Sequence, residues 1–557
     1  MLLIILRVNK LIRIRNVALT PVERKSITND DLCTNIDGVK QFLAKRFKLE
    51  IETIKEIRII KESIDARKSP MFIYTFDLVL NSSSIEQSIL NKIKNSVLID
   101  ENNVEEFFIG KNTTHKTISP LIVGMGPAGL FAALEFLENS IVPIIVEQGS
   151  PIEERIIDVD TFINQKLLNT HSNMQFGEGG AGTFSDAKLS TGVSSPLISK
   201  ILKTFVRFGA PENITYKAMP HIGTDIIREV IKNIRDYLIS NGVKIYFNTK
   251  FIDFELDSSK ITSAICFNTK SQEKIAINCN KILLCIGHSA RETIEMLYNK
   301  GVQMQQKPFA IGLRIEHLQE EVNKSRYHNF YNFPILGSAS YNLNVRTPDG
   351  RGVYSFCMCP GGEVVLACSE NNKIVSNGMS YYDRAGKNAN SAILVGVRPD
   401  DFQDTHPLSG IALQREIESK AFNLTDKKYI APVQTVGSFL NNSQSYELGK
   451  IIPSCKNGYK LCDIKQCLPN FITKNIKYAL PLLANKMDCF SSKDAVLTAV
   501  ETRSSSPVKI LRDENYVCTV NGLYGAGEGS GYSGGIMSSA IDGIKVANKM
   551  REESYEI

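Results

Sequence analysis

The sequence predicts an α/β fold, and three observations carry the prediction. The first lies near residue 120. An apolar strand, Leu121-Ile122-Val123, runs into Gly124-Met-Gly126-Pro127-Ala128-Gly129, then a helix-forming run from Leu130 to Asn139, then a second apolar strand, Pro143 to Val146, that ends on Glu147. The second is a late glycine-rich stretch, Leu523 to Ile536, which follows the apolar run 522–525 and opens a helical tail, Met537–Met550. The third is the region between them, roughly residues 308–500, rich in short strand-like runs such as Ala310–Glu316, Val353–Cys357 and Glu363–Ala367. A strand, glycine turn, helix and second strand in that order form the opening unit of a Rossmann-like parallel sheet. Short apolar runs bounded by turn residues read as an inserted β-rich domain.

Taken in chain order, residues 1–107 read as a separate, self-contained α+β module. Leu11–Val17 alternates like a strand, Asp37–Phe47 has helical spacing, Ile54–Ser63 and Met71–Leu80 are two strands, and Ser84–Ile93 is a second helix. This βαββα order suggests a ferredoxin-like sandwich. The polar stretch Gly110–Thr117 serves as linker. Residues 118–307 form the first part of the nucleotide domain. It contains a helical pattern at 224–240, strands at Lys244–Asn248, Ile252–Leu256 and Ile261–Phe267, and a short buried strand, Lys281–Gly287. Residues 308–500 form the inserted domain, and 501–557 the last part of the nucleotide domain, where Ala540, Ile544 and Ala547 share one helix face.

Each glycine of the first turn answers a need of dinucleotide binding. Gly124 allows the tight turn, Gly126 lets a pyrophosphate approach the backbone, and Gly129 lets the helix pack on the strand. The helix N-terminus offers unpaired N–H groups and partial positive charge to phosphate. Glu147, about 20 residues on, can accept hydrogen bonds from a ribose diol. The pattern alone is cheap: Gly177–Gly182 and Gly529–Gly534 also match it, but neither follows a strand, opens a helix and ends on an acid.

Composition bounds the remainder. The 557 residues suffice for two or three domains, 43% are hydrophobic, and the net charge of +6 is mild for this length. The start, MLLIILRV, is broken by Arg7, Lys10 and Arg13, and no run of about 18 apolar residues follows. A cytoplasmic protein without membrane insertion is expected. Twelve cysteines show no CxxC, and seven histidines form no HxxxH, so no metal site is expected. The cysteines read as buried small hydrophobes.

NAD or FAD fits the first glycine turn, and the late segment decides between them. It brings Glu528, and then Gly534 and Gly535 ahead of a helix, to a second anion-compatible N-terminus. A cofactor held from both ends of a long chain is long itself, and this points to FAD. The combination resembles the two-dinucleotide-fold flavoproteins of the glutathione reductase class. By that resemblance Glu528 faces the ribityl hydroxyls, Gly287 ends the mid-chain strand near the cofactor, and Phe251 holds the adenine by its backbone. The runs Lys61–Lys68, Asn173–Lys188, Asn377–Ser380 and Gly525–Ile536 are similar to a family of bacterial-type FAD-dependent dehydrogenases. The resemblance implies a small N-terminal domain, an FAD domain, and a characteristic C-terminal domain inserted before the last FAD segment. It implies no substrate.

The cofactor contacts expected are Gly124, Gly126, Pro127, Ala128, Gly129, Glu147, Gln148, Phe251 and Gly287. From the glycine cluster come Glu178, Gly179, Gly180, Gly182, Thr183 and Ser185, and from the late segment Gly527, Glu528, Gly534, Gly535 and Ile536. The cluster's four glycines can expose N–H groups as an anion nest. Ser185 and Asp186 look like N-caps of a following helix, which puts Lys188 in its first turn. Lys188 and Arg384 are the catalytic candidates. Lys188 would stabilise negative charge on a reduced flavin, and Arg384 would bind a substrate carboxylate or phosphate. Cys357 and Cys359 invite a dithiol reading. However, flavin disulfide reductases carry their pair soon after the first strand–helix–strand unit, and here no cysteine lies between Cys33 and Cys266.

The expected function is an FAD-dependent oxidoreductase acting on a small-molecule substrate or electron acceptor. NAD(P)H is a candidate transient donor, although residues 190–300 hold no second strand–GxGxxG–helix–acid unit. Two alternatives stand beside it: a flavin-dependent RNA-modifying enzyme, and a non-enzymatic binding protein on the same fold. Basic clusters such as Lys45-Arg46 are interleaved with acids and lack an aromatic platform, which argues against nucleic acid.

Overall fold

The computed structural model describes residues 10–81, 90, 93–100, 120–443 and 447–553. The chain forms two units. One comprises Met1–Phe108, Pro211–Pro220 and Asn323–Ala339, and the other comprises Ile109–Ala210, His221–Val322 and Ser340–Ile557.

In the first unit, β1 (Lys10–Leu19), β2 (Ile54–Asp65), β3 (Met71–Leu80) and β4 (Ser96–Asp100) form an antiparallel sheet in the order β2-β3-β1-β4. The expected strands and the helix at 36–47 are present; that helix buries Val39, Leu43 and Ala44. Two elements escaped the sequence reading. Helix Pro21–Ile27 is short but closed by a capping box, in which the Glu23 amide donates to Thr20 Oγ1 at 3.1 Å and the Thr20 amide donates to Glu23 Oε2 at 2.8 Å. Strand β4 leaves Val97 and Leu98 exposed, so it shows little alternation. The expected helix Ser84–Ile93, residues 90 and 93 apart, and the linker Gly110–Thr117 lie outside the described residues.

The module is not self-contained as expected. Edge strand β2 carries open backbone groups, and residues 216–218 take them: the Glu62 amide donates to the Tyr216 carbonyl and the Ala218 amide to the Glu62 carbonyl, each at 2.8 Å. The Tyr216 hydroxyl also donates to Asp31.

The second unit is built on a five-stranded parallel sheet. Its strands are β5 (Pro120–Val123), β6 (Ile144–Val146), β7 (Lys244–Tyr246), β11 (Lys281–Leu284) and β23 (Leu523–Gly525), in the order β23-β11-β5-β6-β7. Every residue of β5 is buried, as befits a parallel strand covered on both faces. Between β7 and β11, strands β8 (Thr249–Asp257), β9 (Lys260–Asn268) and β10 (Glu273–Asn278) make an antiparallel sheet. Its Phe251, Phe254 and Cys266 pack into one core with Leu121, Val146 and Ile282.

The middle of the chain supplies β12 (Met304–Gln306), β13 (Phe309–Leu318), β14 (Asn344–Arg346), β15 (Gly352–Cys359), β16 (Glu363–Leu366), β17 (Ser376–Met379), β18 (Asn388–Val397), β19 (Ala431–Thr435), β20 (Tyr459–Leu461), β21 (Val496–Glu501) and β22 (Val508–Ile510). Seven of them form a mixed sheet, β14-β15-β18-β13-β21-β19-β20, while β12 pairs with β22 and β16 with β17. Burial along β13, β18 and β21 is almost continuous, and it takes in polar residues such as Arg314, Glu316, Asn390 and Glu501 as well as apolar ones.

The final helix, Ile536–Glu552, buries Ala540, Ile544 and Ala547, the expected face. It packs against helix Pro127–Glu138 so tightly that a Cβ on Gly543 would stand 2.1 Å from the Ala128 carbonyl oxygen. The last segment of the chain thereby meets the first glycine turn.

Candidate flavin site and a thiol cluster

The strand order reverses at β5, with β6 on one side and β11 on the other. In open α/β sheets a ligand crevice opens at the carboxyl ends of the strands at such a point. Gly124 follows β5 there with φ +101°, and a Cβ on it would lie 2.4 Å from the Cys285 carbonyl oxygen. A Cβ on Gly129 would lie 2.1 Å from the Gly124 carbonyl oxygen. Both positions demand glycine for packing. Gly126 differs, because the nearest atom to a Cβ there is Gly180 Cα at 3.8 Å. Its missing side chain leaves open space beside the backbone.

The second glycine cluster folds onto the first turn. The Gly179 amide donates to the Met125 carbonyl at 2.9 Å, and Gly182 lies 3.1 Å, by its Cβ position, from Ile536 Cδ1. On the other side, Gly527 (φ +77°) sits against Ala128, and its amide donates to Asp542 Oδ2 at 2.8 Å. Asp542 is in turn clamped by Arg512 at 2.8 and 2.9 Å. Neither helix that starts here, at Pro127 or at Ile536, has a side chain capping its N-terminus. Their first N–H groups and positive dipole ends remain for an anion. Gly287, Gly534 and Gly535 likewise have nothing within 4 Å of a Cβ position. The donor set fits a pyrophosphate-bearing dinucleotide: bare backbone, two helix N-termini and open glycine flanks.

Glu147 holds this arrangement together. It is 5% exposed, and it accepts the amides of Met125 at 2.8 Å, Gly149 at 3.0 Å and Gly177 at 2.9 Å. The acid expected to bind ribose therefore also ties both glycine loops to β6. Gln148 beside it is half-buried. Glu178 points away from the turn. Its Oε2 accepts the Ile152 amide and Arg235 Nη1, each at 2.8 Å, while burial pushes the carboxyl up to about 7. Thr183 is buried, and its hydroxyl donates to the Glu178 carbonyl at 3.2 Å. The Phe251 side chain is spent in the hydrophobic core. Glu528 is pushed up to about 7 by burial, against the opposing charge of Lys307.

The catalytic candidates meet on one carboxylate, and the sequence expectation for them changes. No helix follows Ser185. The short turn Ala181–Phe184 ends in extended backbone, and the next helix starts only at Leu197. Ser185 instead donates to the Gly182 carbonyl at 2.8 Å and accepts the Ala187 amide at 3.1 Å. Lys188 therefore has no helix terminus behind it. Its Nζ lies 3.4 Å from Asp186, donates to the Met358 carbonyl, and stands 4.0 Å from Cys357 Sγ. Arg384 grips the same Asp186 with two bonds, at 2.6 and 3.2 Å. Its guanidinium is engaged inside the protein rather than held out for a substrate anion.

A profile of the family described as "FAD-dependent protein, C-terminal domain-like" matches residues 308–504, and a domain of unknown function matches residues 12–79. An uncharacterized protein of Clostridium beijerinckii is 41% identical over 544 residues, which are 97% of this chain and 99% of that one. The chain belongs to this family of FAD-dependent proteins. Among solved structures, a flavoprotein/dehydrogenase from Cytophaga hutchinsonii aligns at 12% identity and a TM-score of 0.35, covering 78% of this chain and 77% of that one. A geranylgeranyl bacteriochlorophyll reductase-like protein from Thermoplasma acidophilum aligns at 10% and 0.37, covering 78% and 79%. Among the described residues, no helix is long and apolar enough to cross a membrane.

Of the glycines expected from sequence, Gly126, Gly179, Gly180, Gly182 and Gly527 meet around the first turn and the start of the last helix, and Glu147 ties the first two glycine loops together. The sequence reading missed Asp542 and Arg512, since no local pattern links a helix-interior acid to a strand-end arginine. It also missed Arg155, which is wholly buried, donates to the Glu178 carbonyl at 2.6 Å and stacks 4.8 Å from the Phe184 ring. An arginine in the helix Ile152–Gln165 reads as a solvated residue until its partners are known.

Proposed function

We propose that this chain is a flavoprotein oxidoreductase that holds one FAD non-covalently at the strand-order reversal beside β5. It would exchange electrons with a small-molecule substrate or acceptor, with NAD(P)H as a transient donor. The observation that carries the reading is the convergence of two uncapped helix N-termini, at Pro127 and Ile536, on a cradle lined by Gly126, Gly180, Gly534 and Gly535. When bound, FAD supplies the hydride and electron chemistry. The chain's own residues do the holding. Gly126 admits the pyrophosphate to the backbone, and the helix termini offset its charge. Glu147 fixes the two loops, and Glu528, kept partly protonated by burial, offers hydrogen bonds to sugar-chain hydroxyls.

We infer the domain plan accordingly: a ferredoxin-like module over residues 1–107 that residues 211–220 and 323–339 complete, an FAD domain split between the rest of 118–307 and 501–557, and a substrate-side domain over the rest of 308–500. The test begins with the native protein as purified. Denaturation should release FAD, identified by mass, at one per chain, and anaerobic NADH or NADPH should bleach its visible bands. Colourless protein, or protein that carries RNA in place of a flavin, would refute the reading.

A further inference from the structure

The bulge in β15 gathers chemistry that the flavin reading does not use. Pairing with β18 loses register between Phe356 and Cys359, and Cys357 takes a left-handed φ of 42°. Such a conformation costs free energy in a non-glycine residue and persists only where its surroundings impose it. The bulge folds the second cysteine back on the first, with the Cys359 thiol donating to the Cys357 carbonyl at 3.3 Å.

Cations face the pair from two other elements. Lys188 Nζ stands 4.0 Å from Cys357 Sγ. Arg314 on β13, fully buried, donates to the Cys357 carbonyl at 2.6 Å and approaches Cys359 Sγ at 3.5 Å. The nearby carboxylates stand behind these cations: Asp186 pairs with Lys188 and Arg384, and Glu501 takes Arg314 at 2.9 and 3.0 Å. Cys357 is half-buried, Lys188 keeps 26% of its side chain exposed and Phe356 is 38% exposed, so the bulge borders solvent at Cys357, whereas Cys359 is buried behind it. The adjoining Cys359 side chain, together with Lys188 and Arg314, holds the Cys357 thiol well below its ordinary value, while the adjoining Cys357 and burial push Cys359 well above. Other buried cysteines, such as Cys266, Cys368 and Cys518, are pushed up to about 12 by burial.

We propose that Cys357 and Cys359 are a redox-active thiol pair whose substrate is a small organic disulfide. Cys357 is the attacking thiolate, Lys188 its counter-cation and Cys359 the resolving thiol. The Cys357 thiolate attacks one sulfur of R–S–S–R. A Cys357–S–R bond forms, the old S–S bond breaks, and R–S⁻ leaves to take a proton from water. Cys359 then gives its proton to water and attacks Cys357 Sγ, expelling the second R–S⁻. Two electrons pass from the cysteines to the substrate: one protein disulfide forms and two R–SH are released. This activity stands apart from the flavin reading and needs no cofactor.

The full-length protein, mixed with dithiobis(nitrobenzoate) at about pH 6, where an ordinary thiol is almost wholly protonated, tests it. The native chain should show a fast phase releasing two coloured thiolates. Cys359→Ser should release one and retain the adduct on Cys357, located by peptide mass, and Cys357→Ser should lack the phase. Lys188→Met should slow it about tenfold, the effect of removing one neighbouring opposite charge, and Lys188→Arg should restore it. No fast phase at Cys357, two thiolates from Cys359→Ser, or an unchanged rate in Lys188→Met would each overturn the proposal.

Discussion

Gly543, in the last helix, lies flat against Ala128 in the first: a Cβ on residue 543 would stand 2.1 Å from the Ala128 carbonyl oxygen. This contact fixes the distance between two helices whose N-termini share the proposed cofactor cradle. A methyl group there must push the helices apart, and overpacking of this kind costs about 1–3 kcal/mol. Gly543→Ala is therefore expected to lower the thermal midpoint and weaken flavin retention together. Calorimetry and the flavin-to-protein absorbance ratio check it.

Gly126 makes the opposite prediction. Its backbone is extended, with φ −79°, and a Cβ would meet only Gly180 Cα at 3.8 Å. The flavin-free protein should tolerate Gly126→Val with little change in melting temperature, whereas the stability added by bound FAD should vanish. A variant that purifies with full flavin would move the phosphate site elsewhere.

Glu147→Gln tests the anchor. The carboxylate accepts amides from Met125, Gly149 and Gly177 on both oxygens, whereas a carboxamide has one accepting oxygen. Hydrogen bonds to charged groups contribute about 1.5–3 kcal/mol. The expected result is a loss of that order in denaturant-measured stability, with flavin affinity falling as the loops loosen.

Glu178 sets a pH dependence. Its folded-state value, raised from 4.5 to about 7 by burial, lies above that of the unfolded chain. The folded state thus binds the proton more tightly, and the associated stability is fully present below about pH 4.5 and is lost as pH rises through about 7, on the order of 3 kcal/mol across that window. Glu178→Gln should flatten this part of the curve of unfolding free energy against pH. An unchanged slope would mean that Arg235 keeps the carboxylate charged throughout.

The parallel sheet was legible in the sequence because its signal is local. Leu121–Val123, three glycines at fixed offsets, a helix and an acid are contiguous, and the structure uses them at one place. The two terminal halves of the cradle were also legible, since each carries its own glycines before a helix. What escaped was non-local. Lys188 was read into a helix that does not form, because Gly180 and Gly182 tighten the chain into a short turn that ends in extended backbone. Arg384 was read as a free anion binder because its partner, Asp186, is about two hundred residues away. The thiol pair lay hidden for a related reason: Cys357-Met358-Cys359 reads as ordinary strand, and only the bulge and the approach of Lys188 set it apart. The N-terminal module likewise looked complete because nothing in residues 1–107 reports that β2 takes its edge partner from residues 216–218.

The most direct test of the central claim is calorimetric titration of flavin-free protein with FAD and, separately, with FMN. In the proposed reading, the cradle around Gly126, Gly180 and the helix that starts at Pro127 takes the pyrophosphate that joins FAD to its adenosine half, which FMN lacks. The account predicts saturation at one FAD per chain and at least tenfold weaker binding of FMN, the ratio that corresponds to about 1.4 kcal/mol lost with the missing half. Equal affinity for the two flavins, or binding of neither, would contradict it.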